Sequence, residues 1–109
     1  MEEYQKILID IAGFHQIEGQ DIDWRPIKLF MAKDCTTYTE NRIEENFQKL
    51  DWLETYILPT LRKSYLILSE QYGHGKYELS GWDKEWVGSG STKIEALNAA
   101  LKYLVENPE

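Results

Sequence analysis

Cysteine occurs once in this 109-residue chain, at Cys35, and histidine twice, at His15 and His74. A single thiol excludes an internal disulfide and a cysteine-built zinc site within one chain, and it suits a reducing compartment. Neither histidine has a Glu-x-x-His or His-x-x-x-His companion, so no metal ligand set is legible and no cofactor is expected. No apolar run approaches the roughly 18 residues that span a bilayer, and Met1-Glu2-Glu3-Tyr4 lacks the basic start of a signal peptide. The expectation is a cytoplasmic protein without membrane contact. Low-complexity segments, internal repeats and linkers are also missing.

Basic residues are scarce: 12 against 19 acids, a formal net charge of -7. The imbalance is uneven, with twelve acids and six bases up to Ile57 and seven against six beyond it. Such a surface repels phosphate backbones, which disfavours nucleic acid and leaves a basic protein partner, or plain solubility, as its meaning. Apolar residues make up 42% and there are four tryptophans, enough for one packed core in a chain of this length.

Along the chain, Tyr4, Ile7, Leu8 and Ile11 recur at helical spacing and predict a helix over 2–14. Glu18 to Asp23 reads as a polar turn. Trp24 to Met31 is ambiguous: Asp23 can cap a short helix with Pro26 in its first turn, while Leu29-Phe30-Met31 suits a strand. The helix is preferred. From Thr39 to Leu58, Ile43, Phe47, Leu50 and Ile57 fall on one helical side, with a break near Asp51-Trp52 and Pro59 just beyond. Tyr65 to Leu68 and Lys76 to Trp82 then form a hairpin about a glycine-containing loop, and Glu85 to Gly88 offers a third strand. Thr92 and Glu95 make a capping box that opens a helix with a stripe of Ile94, Leu97, Leu101 and Leu104, ended by Asn107-Pro108. The expected fold is α+β: N-terminal helices, a small antiparallel sheet of two or three strands, and a C-terminal covering helix.

No catalytic motif stands out. Cys35 pairs with no neighbouring base in sequence, and the carboxylates are too many for any pair to be informative. Glu40, Glu44 and Asp51 fall within a sector roughly 40° wide on one helix. They form either a solvated face or an acidic strip for a basic partner. Trp82 and Trp86 flank the Asp83-Lys84 turn and serve either as cover for the sheet or as a partner contact. Gly90, Ser91, Thr92 and Lys93 precede the last helix, where exposed amides can hold an anion. The spacing is not that of a phosphate-binding loop, and a cap explains it equally well.

From Lys76 onward, the strand, tight turn, Gly-x-Gly-x-Thr and alanine-rich helix resemble the second half of the double-stranded-RNA-binding domain. That likeness implies similar topology. The lysines with which that family grips phosphate are missing here, since Lys93 is followed by Ile94 and Glu95. The opening helix from Tyr4 to Ile11, the tryptophan-bearing strands and the closing Glu95-Ala96-Leu97 and Ala99-Ala100-Leu101 resemble the small phage α/β/α (ABA) sandwich domain. This resemblance implies a phage or prophage context and no chemistry. The expected function is a non-enzymatic protein that binds, and by binding inhibits, a protein partner. The alternative is a nucleic-acid or nucleotide-binding module built on Gly88 to Lys93.

Overall fold

The computed structural model describes residues 1–61, 67–81 and 88–107. Eleven elements follow one another in these residues. They are α1 (Glu3–Ile11), β1 (His15–Gln20), β2 (Pro26–Met31), β3 (Thr37–Thr39), α2 (Glu40–Asn46), α3 (Leu50–Tyr56), α4 (Leu58–Leu61), β4 (Ile67–Gly73), β5 (Lys76–Gly81), β6 (Gly88–Gly90) and α5 (Lys93–Glu106). The α+β class holds. The N-terminal half, expected to be helical, also contains a sheet of its own.

Each set of three strands forms an antiparallel meander, one ordered β1-β2-β3 and the other β4-β5-β6. Residues 24–31 are therefore not a helix: Pro26 starts strand β2, opposite Gln20 of β1. Proline is acceptable at the first position of a strand, and the run Leu29 to Met31 is apolar at consecutive positions, which a helical stripe does not require. The turn expected over Glu18 to Asp23 begins only at Asp21, since Glu18 and Gly19 belong to β1.

Helix α1 is shorter than 2–14, and its buried side is Tyr4, Gln5, Leu8 and Ile9. Ile7 and Ile11, assigned to the buried stripe, are exposed. The helix expected over 39–58 is broken at Phe47 to Lys49, not at Asp51-Trp52. Thr39 caps α2 by accepting from the Arg42 amide. Pro59 lies in the single turn of α4, at the start of a helix where its missing N–H is harmless. Helix α5 matches expectation: Thr92 accepts from the Glu95 amide at 3.3 Å, and Leu97, Leu101 and Leu104 are buried.

One buried cluster runs from Tyr4 to Leu104, with Ile43, Phe47, Leu53, Ile57 and Leu101 fully enclosed. Burying an aliphatic side chain of this kind contributes about 1.5–3 kcal/mol. Asn98 ties three parts of the chain together at the edge of that cluster. Its Oδ1 accepts from the Tyr4 hydroxyl at 2.9 Å, and its Nδ2 donates to the Phe47 carbonyl at 2.8 Å and the Ile94 carbonyl at 3.0 Å. The carbonyl left open at the end of α2 is satisfied in this way.

The pair β5-β6 lies against α5. A Cβ on Gly88 would overlap the Ala100 amide and the Ala96 carbonyl of that helix, and one on Gly90 would crowd Glu95 and Ala96. The glycines of Gly88-Ser89-Gly90 thus permit a strand to touch a helix backbone. The third strand, expected to end at Gly88, runs on to Gly90, while Glu85 to Val87 lie outside the described residues.

Candidate interaction surface

Sheet parity decides which side chains of the first sheet meet the core. Phe30 and Tyr38 face each other across β2 and β3 and pack on the buried cluster. Alternate residues point the other way. In register these are the pairs Ile17–Leu29, Gly19–Ile27 and His15–Met31. Ile17, Ile27, Leu29 and Met31 are half-buried, and none belongs to the core or to the residues packed against it. Among the described residues the helix in extended contact with this sheet is α2, whose Ile43 lies in the core on the Phe30 and Tyr38 side. The outward face is thus aliphatic and has no covering element among the described residues. Its remaining members, His15, Gly19, Thr37 and Thr39, include no acid, lysine or arginine.

A Cβ on Gly19 would overlap Leu29, so the Leu29 side chain lies across the glycine.

The turn between β1 and β2 adds two exposed apolar side chains. Ile22 is 96% exposed and Trp24 78% exposed. The turn is held firmly: Asp21 Oδ1 accepts from the Asp23 and Arg25 amides, each at 2.9 Å, the Asp21 amide donates to the Arg25 carbonyl, and the Trp24 amide donates to the Asp21 carbonyl. Trp24 has φ 61°, a left-handed conformation unusual for a bulky residue. The backbone strain, the closed turn and the exposed indole together mark a presented side chain.

The residues singled out from sequence lie elsewhere and do not converge. Glu40 and Glu44 sit on α2 with carboxylate oxygens 3.1 and 2.5 Å from the α-amino nitrogen of Met1. These two hydrogen bonds, Glu44 foremost, raise the pKa of that amino group above its ordinary value. Asp51 stands on α3, beyond the Phe47–Lys49 break, so the three acids form no continuous row. Trp82 and Trp86 lie outside the described residues, as do the Asp83-Lys84 turn and Glu85 to Val87.

At the start of α5, the Ser91 amide and hydroxyl both donate to Glu95 Oε2, at 2.9 and 2.6 Å. The chain's own carboxylate therefore occupies both donors of Ser91. The same bonds, the Ser91 hydroxyl foremost, hold the Glu95 carboxyl below its usual pKa. Glu95 reaches one residue further back than the expected capping box. Gly90, Thr92 and Lys93 flank this arrangement.

A shallow groove of about 700 Å³ is lined by Tyr38, Asn46, Lys49, Asp51, Trp52 and Tyr56, among others. The Trp52 ring packs on those of Phe14, Tyr38, Phe47 and Tyr56, with centroids 5.3 to 5.9 Å apart. That spacing fills the interior with the rings themselves and leaves no gap for a cation, so this is no aromatic cage. Among the described residues the Trp52 Nε1 has no hydrogen-bond partner. The Tyr56 hydroxyl donates to Asp34 Oδ2 at 2.6 Å, which lowers the Asp34 pKa and raises that of Tyr56. Cys35, in the same β2–β3 turn, is exposed. Among the described residues no three His, Cys, Asp or Glu side chains are grouped to hold a metal ion. No helix there is long and apolar enough to cross a membrane.

Compared with known protein families, curated proteins and solved structures, the chain matches none.

Sequence reasoning missed Ile22, Trp24 and the outward face. The alternation Ile27-x-Leu29-x-Met31 was the available signal, and it is concealed by the intervening Phe30. Nothing in the sequence marks Trp24 as exposed, because tryptophan is more often largely buried.

Proposed function

We propose that this chain is a non-enzymatic protein-binding module that docks through the outward face of its first sheet, with Trp24 as the anchor. The observation that carries this reading is Trp24 itself, 78% exposed and held in a left-handed backbone by a hydrogen-bonded turn. An isolated exposed apolar residue needs no explanation, but a rigidly presented tryptophan at the tip of a hairpin whose aliphatic face has no covering element among the described residues does. Tryptophan buries about 150–250 Å² on contact and is among the commonest interface anchors. Inhibition of the bound partner, a cytoplasmic setting and a phage or prophage origin complete the proposal. The single unpaired cysteine supports the setting. The arrangement of an opening helix, antiparallel strands and a closing helix supports the origin, which the genes beside this one would test.

The test is affinity capture from host lysate with the wild-type chain and the Trp24→Ala variant, compared quantitatively by mass spectrometry. A protein enriched by the wild type and lost with the variant supports the reading. Identical captures from the two would contradict it.

A further inference from the structure

We propose that the groove across the break between α2 and α3 binds an uncharged heteroaromatic ring with a donor and an acceptor on adjacent atoms, the edge that a nucleobase carries. The groove includes neither Trp24 nor any residue of the first sheet's outward face. Its occupancy therefore does not depend on whether those residues dock a partner.

Two buried side chains that border the groove have polar atoms without partners. Asn46, the last residue of α2, is 5% exposed, and its carboxamide makes no hydrogen bond among the described residues. The carboxamide is not fully enclosed, so the small part of Asn46 that shows is polar and borders the groove. Trp52, 9% exposed, lines the same groove, and its Nε1 is enclosed without an acceptor. Nearly all buried polar groups in folded proteins are hydrogen-bonded, and each exception calls for an explanation. Two exceptions beside one groove point to an occupant that supplies the matching atoms.

The carboxamide sets the chemistry of that occupant. It presents Oδ1 as an acceptor and Nδ2 as a donor side by side in one plane. An edge with a donor next to an acceptor satisfies both at once, which is how asparagine reads adenine. Trp52 Nε1 gives a further acceptor on the ring its place.

The walls set the shape. Tyr38 and Tyr56 are half-buried, so each keeps ring surface open, and both line the groove with Leu50. Flat aromatic side chains receive a flat ring, and such stacking works for any base. A peptide group would satisfy Asn46 but leave these walls wet.

The rim sets the charge. Lys49 and Asp51 are exposed and opposite in sign, so the groove offers no net charge to an ion. A phosphate is also repelled by a chain of net charge -7, whereas a free base is not. The volume of about 700 Å³ lies within the range of small-molecule sites. Because the groove is shallow, dissociation constants of roughly 1–10 mM are expected.

Titration of the ¹⁵N-labelled full chain with uracil and with cytosine, followed by NMR, is the test. The Asn46 side-chain amide, assigned by its loss in Asn46→Leu, and the Trp52 indole proton should both shift saturably, the latter to lower field. The analogue 1,3-dimethyluracil keeps the ring and the acceptors but lacks the donor, and should bind at least about tenfold more weakly than uracil. Asn46→Leu should weaken uracil to a similar extent. Should that variant fail to fold, the comparison of ligands on the wild type decides alone.

Absence of a saturable shift with either base overturns the proposal. So does equal binding of uracil and 1,3-dimethyluracil, because the polar edge would then not be read. Acetamide binding as well as uracil overturns the ring in favour of a peptide group. Saturable shifts that leave Asn46 and Trp52 unmoved overturn this groove as the site.

Discussion

The two sheets of this protein have the same size and topology and opposite surroundings. In the second sheet, Leu79 and Tyr77 pair with Gly88 and Gly90, and helix α5 lies directly on that face. The alternate positions Glu78, Ser80 and Ser89 are polar. That is the ordinary division of an antiparallel sheet into a packed side and a wetted side. In the first sheet, Phe30 and Tyr38 meet the core while Ile17, Ile27, Leu29 and Met31 face away from it. The turns differ in the same sense. The β4–β5 turn puts His74 and Gly75 in left-handed conformations, with glycine where it costs least. The β1–β2 turn contains no glycine and gives its left-handed position to Trp24. The second sheet keeps to the rules of stability except at Tyr72, which is 63% exposed, and the first departs from them both along its outward face and at Trp24. Departures of that kind are where function is to be sought.

Mutations on matched positions sharpen this contrast. The largest effects belong to the covered sheet. Leu79→Ala should lower the free energy of unfolding by about 3 kcal/mol, because Leu79 is enclosed and a cavity would remain. The equivalent Ile27→Ala should cost about 1 kcal/mol or less, since Ile27 touches no core residue. Urea titrations of the two variants measure the difference directly, and equal losses would mean that the outward face is packed after all.

The glycines give a second pair. Gly88→Ala should cost about 3 kcal/mol, because the added methyl meets helix backbone that cannot turn aside. Gly19→Ala meets the far end of the Leu29 side chain, which can rotate, and should cost about 1 kcal/mol.

Smaller effects come from two carboxylates, one beside each sheet. Glu95 and Asp34 have folded pKa values below their ordinary ones, so each contributes stability that is complete above the unfolded pKa and fades as pH falls through the folded value. Glu95→Gln and Tyr56→Phe should each flatten the loss of stability between neutral and acidic pH, read by thermal unfolding across that range. Tyr56 works in the opposite sense. Its raised pKa means that its contribution is present below the unfolded tyrosine pKa and is lost in strong alkali.

Much of the covered half was legible in the sequence. Thr92 and Glu95 announce α5, its leucines recur at helical period, and the alternation from Lys76 onward gives β5. The glycines at Gly88 and Gly90 carry no sequence signal of their role, because the need of a strand to touch the backbone of α5 is a tertiary fact. The first sheet was hidden for a related reason. A strand with apolar residues on both sides carries no period of two, so Ile27 to Met31 reads equally as part of a helix. Asp23 and Pro26 look like a helix start, yet they flank the left-handed Trp24 of a hairpin. The acidic residues misled through a helix drawn too long: Glu40 and Asp51 align only if Phe47 to Lys49 is helical.

Substituting Trp24 by asparagine tests most directly the claim that this hairpin is shaped for contact and not for stability. Asparagine tolerates the left-handed backbone at little cost. The account predicts that Trp24→Asn raises the unfolding free energy by about 0.5–1 kcal/mol, a few degrees in melting temperature, while association with the captured partner is lost. A melting temperature that falls, with association unchanged, would show Trp24 to be a structural residue and contradict the account.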